Sequence, residues 1–184
     1  MRQYKSSKTG KLYPSVTTVL PDFPWGNEEA RDRGTQVHKA CYLINHGALD
    51  WDSLDPRIEP YVRGYDLLLK ETDLSVELSE LTVLSDKYKT AGTVDIIGKM
   101  GGHNIIADIK TGEYSQKLPS WEVQVAAYDR LYKEMIGEKR ERKRYAFVLN
   151  REGNYRIFEL TEPDAWTVFL SYLRVHNWQR RWEK

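Results

Sequence analysis

A strand–turn–strand pattern in the middle of the chain constrains its fold more than any other feature. Residues Gly92–Met100 and His103–Lys110 are rich in β-branched side chains, and Gly101-Gly102 between them is a two-residue hairpin turn that tolerates positive φ. With both glycines in the turn, the hairpin register places Asp95 directly opposite Asp108. The sequence therefore predicts two carboxylates facing each other across neighbouring strands.

The charge repulsion between these two aspartates must be offset by other groups. Directly opposed residues have Cβ atoms about 4.5–5.5 Å apart, and two full charges about 5 Å apart repel by roughly 3 kcal/mol at an effective dielectric of about 20. Strand alternation puts Thr93 and Lys110 on the same polar face as Asp95 and Asp108. The other face is predicted to be apolar and to carry Val94, Ile96, Ile105, Ala107 and Ile109.

Two carboxylates beside a lysine favour divalent-metal chemistry. Oxygen ligands suit Mg2+ or Mn2+, and an ammonium group helps to position water or to stabilise negative charge. The alternative interpretation is a solvated hairpin face on which Lys110 balances Asp95 and Asp108. The hairpin register favours the first interpretation without excluding the second.

The remaining patterns predict an α/β domain in which a central mixed β-sheet is flanked by helices, in the order αα βββ α ββ α. No repeat or linker divides the chain, so residues 1–184 are expected to form one domain. Asn27 is a candidate helix cap, and Thr161-Glu-Pro-Asp164 resembles a capping box. The predicted helices are about Glu28–Asn45, Pro56–Glu71, Ser120–Ile136 and Thr161 to near Trp182; the other predicted strands are Val76–Leu84, Arg144–Leu149 and Tyr155–Leu160.

Composition narrows the function classes. The 28 Lys and Arg residues nearly balance the 27 Asp and Glu residues, and a net charge of +1 argues against a strongly basic surface. The first twenty residues nevertheless contain four cationic side chains and no acid. One cysteine excludes a disulfide framework and a four-cysteine zinc or iron–sulfur site, and the chain has no apolar run of 18 residues. We expect a soluble, cytosolic protein.

Helical spacing adds three further candidates. Gln124 and Tyr128 are four residues apart on one predicted helix, and His38 lies beside the apolar stripe of the first helix. Each also has an ordinary interpretation, as a boundary residue with a satisfied polar group. Zinc binding by His38 and Cys41 is disfavoured, because a second thiolate and a matching histidine pair are missing.

Four short segments follow one another in order along the chain: Arg33-Gly-Thr-Gln-Val-His38, Ala91-Gly-Thr-Val-Asp95, Ala107-Asp-Ile-Lys-Thr-Gly112 and Gln124-Val-Ala-Ala-Tyr128. In this order they resemble the motifs of the PD-(D/E)xK nuclease superfamily, in particular its RecB-like branch of compact phage-type or repair-type nucleases. The likeness extends over most of the chain, although Val94 stands where proline precedes the first aspartate in many members.

The resemblance implies a restriction-endonuclease-like core and a role for each matching residue. The implied metal ligands are His38, Asp95, Asp108 and the carbonyl of Ile109, with Lys110 as the catalytic lysine. Gln124 and Tyr128 would order the site or contact DNA. Glu80 is a candidate additional acid, for which Glu77 competes. The cofactor would be Mg2+ or Mn2+, with no iron–sulfur cluster.

The function implied is hydrolysis of DNA phosphodiester bonds, leaving a 5′-phosphate and a 3′-hydroxyl, by an exonuclease more readily than an endonuclease. Its setting would be DNA recombination, repair or phage DNA processing in the cytoplasm of a bacterium or a phage-infected cell. Single-stranded DNA or duplex ends would be its partner, and a recombination partner or a homo-oligomer stays open. The alternatives are a non-catalytic DNA-binding module on the same fold and a nuclease acting on RNA.

Candidate DNA contacts extend beyond the metal site. Trp121 is a candidate for stacking on an unpaired base, against the alternative of core packing. The basic run Lys139–Arg144 is interpreted either as a solvated turn or as a phosphate contact. The other candidates are Arg31, Arg33, Ser15, Thr17 and Lys117.

Overall fold

The computed structural model describes residues 3–21 and 28–182 and has a five-stranded mixed sheet at its centre. The strand order is β3-β4-β5-β6-β7, and only the β5–β6 pair is parallel. The predicted α/β architecture with a mixed sheet between helices is confirmed. The strands are β3 (Ser75–Ser85), β4 (Thr90–Met100), β5 (His103–Thr111), β6 (Lys143–Leu149) and β7 (Tyr155–Glu159); the long helices are α2 (Glu28–Asn45), α3 (Glu59–Glu71), α4 (Pro119–Ile136) and α5 (Ala165–Gln179).

The N-terminal segment forms three short elements that sequence patterns did not predict. Strands β1 (Gln3–Lys5) and β2 (Leu12–Pro14) make a two-stranded antiparallel sheet, and α1 (Val16–Val19) follows. The side chain of Ser15 caps α1 by accepting a hydrogen bond from the Thr18 N–H. Elements of three or four residues are too short to show a strand or helix period.

Each face of the sheet is covered by a separate apolar cluster. The cluster on one face contains residues of α1, α4 and α5, and its largest fully buried side chains are Trp121 and Phe169. The cluster on the other face contains residues of α2 and α3, including Tyr65 and Leu68. The strands that carry the predicted site therefore lie between two helical layers.

The hairpin register is confirmed from the turn to the pair Ile96–Ala107. Beyond that pair the two strands separate. Residues Thr90–Val94 of β4 pair with β3, whereas residues 108–111 of β5 pair with β6. The two strands therefore diverge beyond Ile96 and Ala107, and we call this divergence the fork between β4 and β5. The sequence predicted a continuous pair here.

One predicted facing of the hairpin is wrong. Val94 lies in the same cluster as Ile97, three residues away, and on the opposite side of the sheet from Ile96. Strict alternation is interrupted around Asp95, and Glu80 on the neighbouring strand has a left-handed φ of 51°. The predicted common face holds for Ile96, Ile105, Ala107 and Ile109.

Two helices begin later than predicted. Helix α3 begins at Glu59, after a turn that contains Pro56, and α5 begins at Ala165 with no side-chain cap from Asp164. The predicted capping box is wrong because a buried carboxylate from α4, Glu122, accepts the N–H groups of residues 161 and 162. The proposed cap Asn27 lies outside the described residues. Within residues 3–21 and 28–182, no helix has the length and apolar character needed to cross a membrane.

Candidate metal-binding and active site

The fork between β4 and β5 opens into a cleft of about 1250 Å3. Strand β4 contributes Asp95 and β5 contributes Asp108 and Lys110, while α2 and α4 form two of its walls. Asp95 and Asp108 line this cleft, although they are only 6% and 2% exposed. The cleft thus gathers residues that are far apart along the chain.

His38, Glu80 and Asp95 form the strongest candidate metal site. One ligand atom from each residue lies within 4.8 Å of the others. His38 Nδ1 is 3.2 Å from Asp95 Oδ1 and 3.7 Å from Glu80 Oε1. Two carboxylates and an imidazole are a donor set that suits a divalent cation such as Mn2+ or Mg2+.

The structure distinguishes between the two glutamates considered as the additional acid. Glu80 lines the cleft beside His38. Glu77 lies nearer the start of β3, where its carboxylate pairs with Lys99 at 3.3 Å and is 47% exposed. Glu80 is therefore the acid that reaches the site.

Asp108 belongs to a second set of contacts, with side chains of β5 and α4. Lys110 Nζ lies 2.7 Å from Asp108 Oδ2 and donates a 2.9 Å hydrogen bond to Gln124 Oε1. Gln124 Nε2 donates to Asp108 Oδ1 at 2.8 Å and to the Tyr128 hydroxyl at 3.1 Å. Gln124 therefore fixes the carboxylate and the ammonium group relative to each other.

The grouping differs from the predicted ligand set of His38, Asp95, Asp108 and Ile109. Asp108 is not a member of the three-residue ligand group, because its carboxylate faces Lys110 and Gln124. The backbone of Ile109 contacts the site through its N–H, which donates a 2.6 Å hydrogen bond to Asp95 Oδ2. The role predicted for the Ile109 carbonyl stays a prediction.

Burial and charge perturb the titrating groups of the cleft. Burial lowers the pKa of His38, but the charge and hydrogen bond of Asp95, reinforced by Glu80, outweigh burial and hold that pKa well above its ordinary value. Burial raises the pKa of Asp108 to about 6, against the opposing charge of Lys110. Within this cleft His38 is therefore more basic, and Asp108 a weaker acid, than the free side chains.

Cys41 does not join these groups. Burial, reinforced by the charges of Asp95 and Glu80, raises the pKa of the Cys41 thiol well above its ordinary value. The thiolate that zinc would require is therefore disfavoured. Cys41 is 1% exposed and packs among the apolar residues of α2 and α3.

Two cleft residues that sequence reasoning did not select are Tyr4 and Tyr114. The Tyr4 hydroxyl is 2.9 Å from Thr93 Oγ1, which connects the N-terminal hairpin to the cleft wall. The Tyr114 ring packs edge-on against Trp121. Neither tyrosine lies in a periodic element with a recognisable motif, so their positions depend on tertiary contacts alone.

Five of the predicted DNA contacts line the cleft: Arg31, Arg33, Ser15, Thr17 and Trp121. The Arg33 guanidinium lies 5.1 Å from the centroid of the Tyr61 ring. Ser15 is 3% exposed and caps α1, so its hydroxyl is committed to that helix. Arg31 and Thr17 are exposed, which leaves their polar groups accessible from solvent.

The structure gives other roles to Lys117 and Trp121. Lys117 Nζ is 2.6 Å from Glu122 Oε1 and is not among the residues that line the cleft. Trp121 lines the cleft but is 1% exposed and lies in the apolar cluster, which favours the alternative of core packing. Within the basic run, Arg140 and Arg142 both pair with Glu138, which matches the interpretation as a turn.

Comparisons with known proteins add little to this geometry. The chain matches no protein-family profile and no curated protein sequence. Among solved structures, it aligns with one described as the crystal structure of SSO0001, with a TM-score of 0.37 and 18% sequence identity. The alignment covers 62% of this chain and 54% of that chain, so it spans about half the length of SSO0001.

Proposed function

We propose that this protein is a divalent-metal-dependent deoxyribonuclease with a restriction-endonuclease-like core. The observation that carries the proposal is the fork between β4 and β5, which holds Asp95, Asp108 and Lys110 in one cleft with His38. A polar cluster that serves stability alone has no need of two buried carboxylates in such a cleft, since burial disfavours their charged forms.

The residues of the cleft fit a divalent cation. His38, Glu80 and Asp95 would hold it, because each offers one ligand atom within 4.8 Å of the others. A bound cation supplies Lewis acidity, lowers the pKa of coordinated water and offsets charge on a phosphate. Asp108 would assist from the opposite side of the fork.

The remaining groups orient the substrate and balance charge. Lys110 is held by Asp108 and Gln124, so its ammonium group is fixed in position to stabilise negative charge or to orient an attacking water. The hydrogen bond from Ile109 holds the carboxylate of Asp95. Arg31 and Arg33 in the cleft wall would contact phosphate groups of the substrate.

Exonuclease activity in recombination, repair or phage DNA processing is the form of this function that the sequence motifs favour. Lys110→Ala removes the ammonium group, and Asp95→Asn removes a ligand charge with little change in shape. We expect both variants to lose DNA cleavage by at least a hundredfold while circular dichroism shows the fold retained. Lys139→Ala, at an exposed lysine of the basic run, is the matched control and should cleave normally.

The assay uses labelled single-stranded, duplex, nicked and circular DNA, and RNA, with Mg2+, Mn2+ or EDTA. Cleavage that requires a free DNA end and stops in EDTA supports the proposal. DNA binding without cleavage in either metal would favour the accessory DNA-binding module. Preferential cleavage of RNA would favour the RNA nuclease. Undiminished cleavage by Lys110→Ala in a clean preparation would refute the catalytic role of this site.

A further inference from the structure

A second concave surface lies away from the cleft, between the β3–β4 turn and α5. It has a volume of about 550 Å3 and, among the described residues, shares none with the cleft. Of the described residues that line it, four are cationic and none is acidic; the four cations are Lys87, Lys89, Arg174 and Arg181.

The four cations are available to a ligand. All four side chains are exposed, and among residues 3–21 and 28–182 none of them forms an ion pair. The nearest acid along the chain, Asp86, accepts hydrogen bonds from the hydroxyls of Ser6 at 2.7 Å and Tyr13 at 2.9 Å. The carboxylate of Asp86 is therefore bound by hydroxyl groups of the N-terminal hairpin. A surface with this charge is complementary to an anionic ligand.

The N-terminal hairpin connects this basic surface to the cleft. The Tyr4 hydroxyl contacts Thr93 in the cleft wall. The hydroxyls of Ser6 and of Tyr13, the cross-strand partner of Tyr4, donate to Asp86, which directly precedes the basic turn. Between Thr93 and Thr90, which directly follows Lys89, strand β4 covers roughly 10 Å at about 3.3 Å per residue. The hairpin adds the exposed cations Lys5, Lys8 and Lys11.

Exposed aromatic side chains favour nucleic acid over an acidic peptide as the ligand. Trp178 is 53% exposed and Trp182 is 75% exposed. Trp178 follows Arg174 by four residues, so both share one side of α5. Arg181 lies in the turn after α5, where its N–H donates to the Trp178 carbonyl at 3.2 Å. Cations that alternate with accessible indole rings are typical of surfaces that bind single strands, where phosphates contact the cations and bases stack on the rings.

We propose that the N-terminal hairpin, the 86–89 turn and the end of α5 form a track that binds the phosphate backbone of a nucleic-acid strand as it leaves the cleft. This inference rests on the proposed nuclease function, because the cleft would hold the end of the same strand. The track would raise the affinity for long substrates and leave the chemistry in the cleft unchanged.

The test compares a short and a long single-stranded DNA, of about 4 and about 30 nucleotides, so that only the long one reaches the track. The track variant replaces Lys87, Lys89, Arg174 and Arg181 by Gln. The control variant replaces four exposed, ion-paired cations by Gln, giving the same change in net charge: Arg63, Lys70, Lys99 and Arg151. Binding is measured in Mg2+ in the Lys110→Ala background, and cleavage in the otherwise unmodified protein.

We expect the track variant to bind the long DNA at least tenfold more weakly at low salt than the control variant does. The slope of log affinity against log salt should fall by about 0.7 for each lost phosphate contact, or about 3 in total. Cleavage of the short DNA should be unchanged, with thermal unfolding reporting an intact fold.

Equal long-DNA affinity of the track and control variants would overturn the inference while leaving the proposed nuclease function standing, provided that cleavage persists. If an acidic peptide binds this surface and does not lower the affinity of the protein for DNA, the inference is overturned in favour of a protein partner. Absence of both cleavage and DNA binding in the unmodified protein would refute the inference together with the proposed function.

Discussion

The backbone N–H of Ile109 donates a 2.6 Å hydrogen bond to Asp95 Oδ2 at the point where the β4–β5 ladder ends. A side-chain carboxylate thus replaces the backbone acceptor that a continuous hairpin would have supplied. The second oxygen of Asp95 is left to face His38 Nδ1 at 3.2 Å. Strand β5 thus fixes the carboxylate of Asp95, and helix α2 provides its titratable partner, His38.

This arrangement predicts that metal binding releases a proton from His38. The free protein holds the pKa of His38 well above its ordinary value, whereas a metal ligand must be the neutral imidazole. Below that raised pKa, affinity for Mn2+ should increase by up to about tenfold per pH unit. Isothermal titration calorimetry at pH 7 in buffers of different ionisation enthalpy measures the released proton.

The control for this experiment is His46→Gln. His46 is exposed and contacts the Tyr42 carbonyl at 2.8 Å, so its loss should leave proton release unchanged. His38→Gln should bind Mn2+ more weakly and abolish the release. A metal affinity that does not vary with pH in the unmodified protein would contradict a role for His38 as a ligand.

The pKa of Asp108 predicts how stability depends on pH in EDTA. Its folded value of about 6 lies above the ordinary value of 3.8, so the folded state binds more protons between these limits. Stability should therefore fall as the pH rises from about 4 to about 6, by at most about 3 kcal/mol from this group. Urea unfolding at each pH measures the free energy of unfolding.

Asp108→Asn provides the comparison, since the amide does not titrate and its oxygen still accepts from Gln124. Its unfolding free energy should lack most of the fall between pH 4 and 6. The raised pKa of His38 contributes a separate loss of stability, above about pH 6.5, which Asp108→Asn should retain. A fall of equal size in both proteins between pH 4 and 6 would show that other groups cause it.

The sequence allowed the main elements of the fold to be predicted because they are long and strongly patterned. Helix α2 begins and ends at the predicted residues, and Gly137 ends α4 with a left-handed φ of 69°. The hairpin register followed from Gly101-Gly102 because a two-residue turn fixes how strands pair. Side-chain chemistry and local pattern were sufficient for these features.

The fork and the orientation of Glu80 could not be predicted in the same way, and the sequence left core packing of Trp121 as one of two open interpretations. The fork depends on where the β4–β5 ladder ends, at the pair Ile96–Ala107, while β5 stays paired along its other edge with β6, a segment more than thirty residues away. Trp121 occupies the interior because Tyr114 and Phe158 pack around it. Such features arise from long-range packing, which outweighs local pattern.

Gln124→Leu tests whether the amide organises the second half of the site. Leucine removes the acceptor of Lys110 and the donor to Asp108 and leaves those buried groups with fewer partners. We expect a loss of about 2 kcal/mol in the free energy of unfolding, together with a large drop in DNA cleavage. Gln36→Leu, on the exposed face of α2, should change both by little. Normal stability and activity in Gln124→Leu would show that the amide is dispensable.

Gly92→Ala tests the packing that holds Tyr128 against Gln124. A Cβ at residue 92 would lie 2.4 Å from Tyr128 Cε1, so the ring has to move and its hydroxyl leaves Gln124. We expect a destabilisation of about 1–3 kcal/mol in urea unfolding, and a loss of cleavage larger than the stability loss alone would cause.

Gly34→Ala is the matched control, because its new Cβ would meet only Thr111 Oγ1 at 3.7 Å and alanine favours the helix. Adding Tyr128→Leu to Gly92→Ala should relieve the clash and recover part of the stability, but not the cleavage, since the hydroxyl that contacts Gln124 is absent. Recovery of stability and cleavage together would show that Tyr128 serves only to fill space. Failure to recover either would place the damage in strand β4 itself.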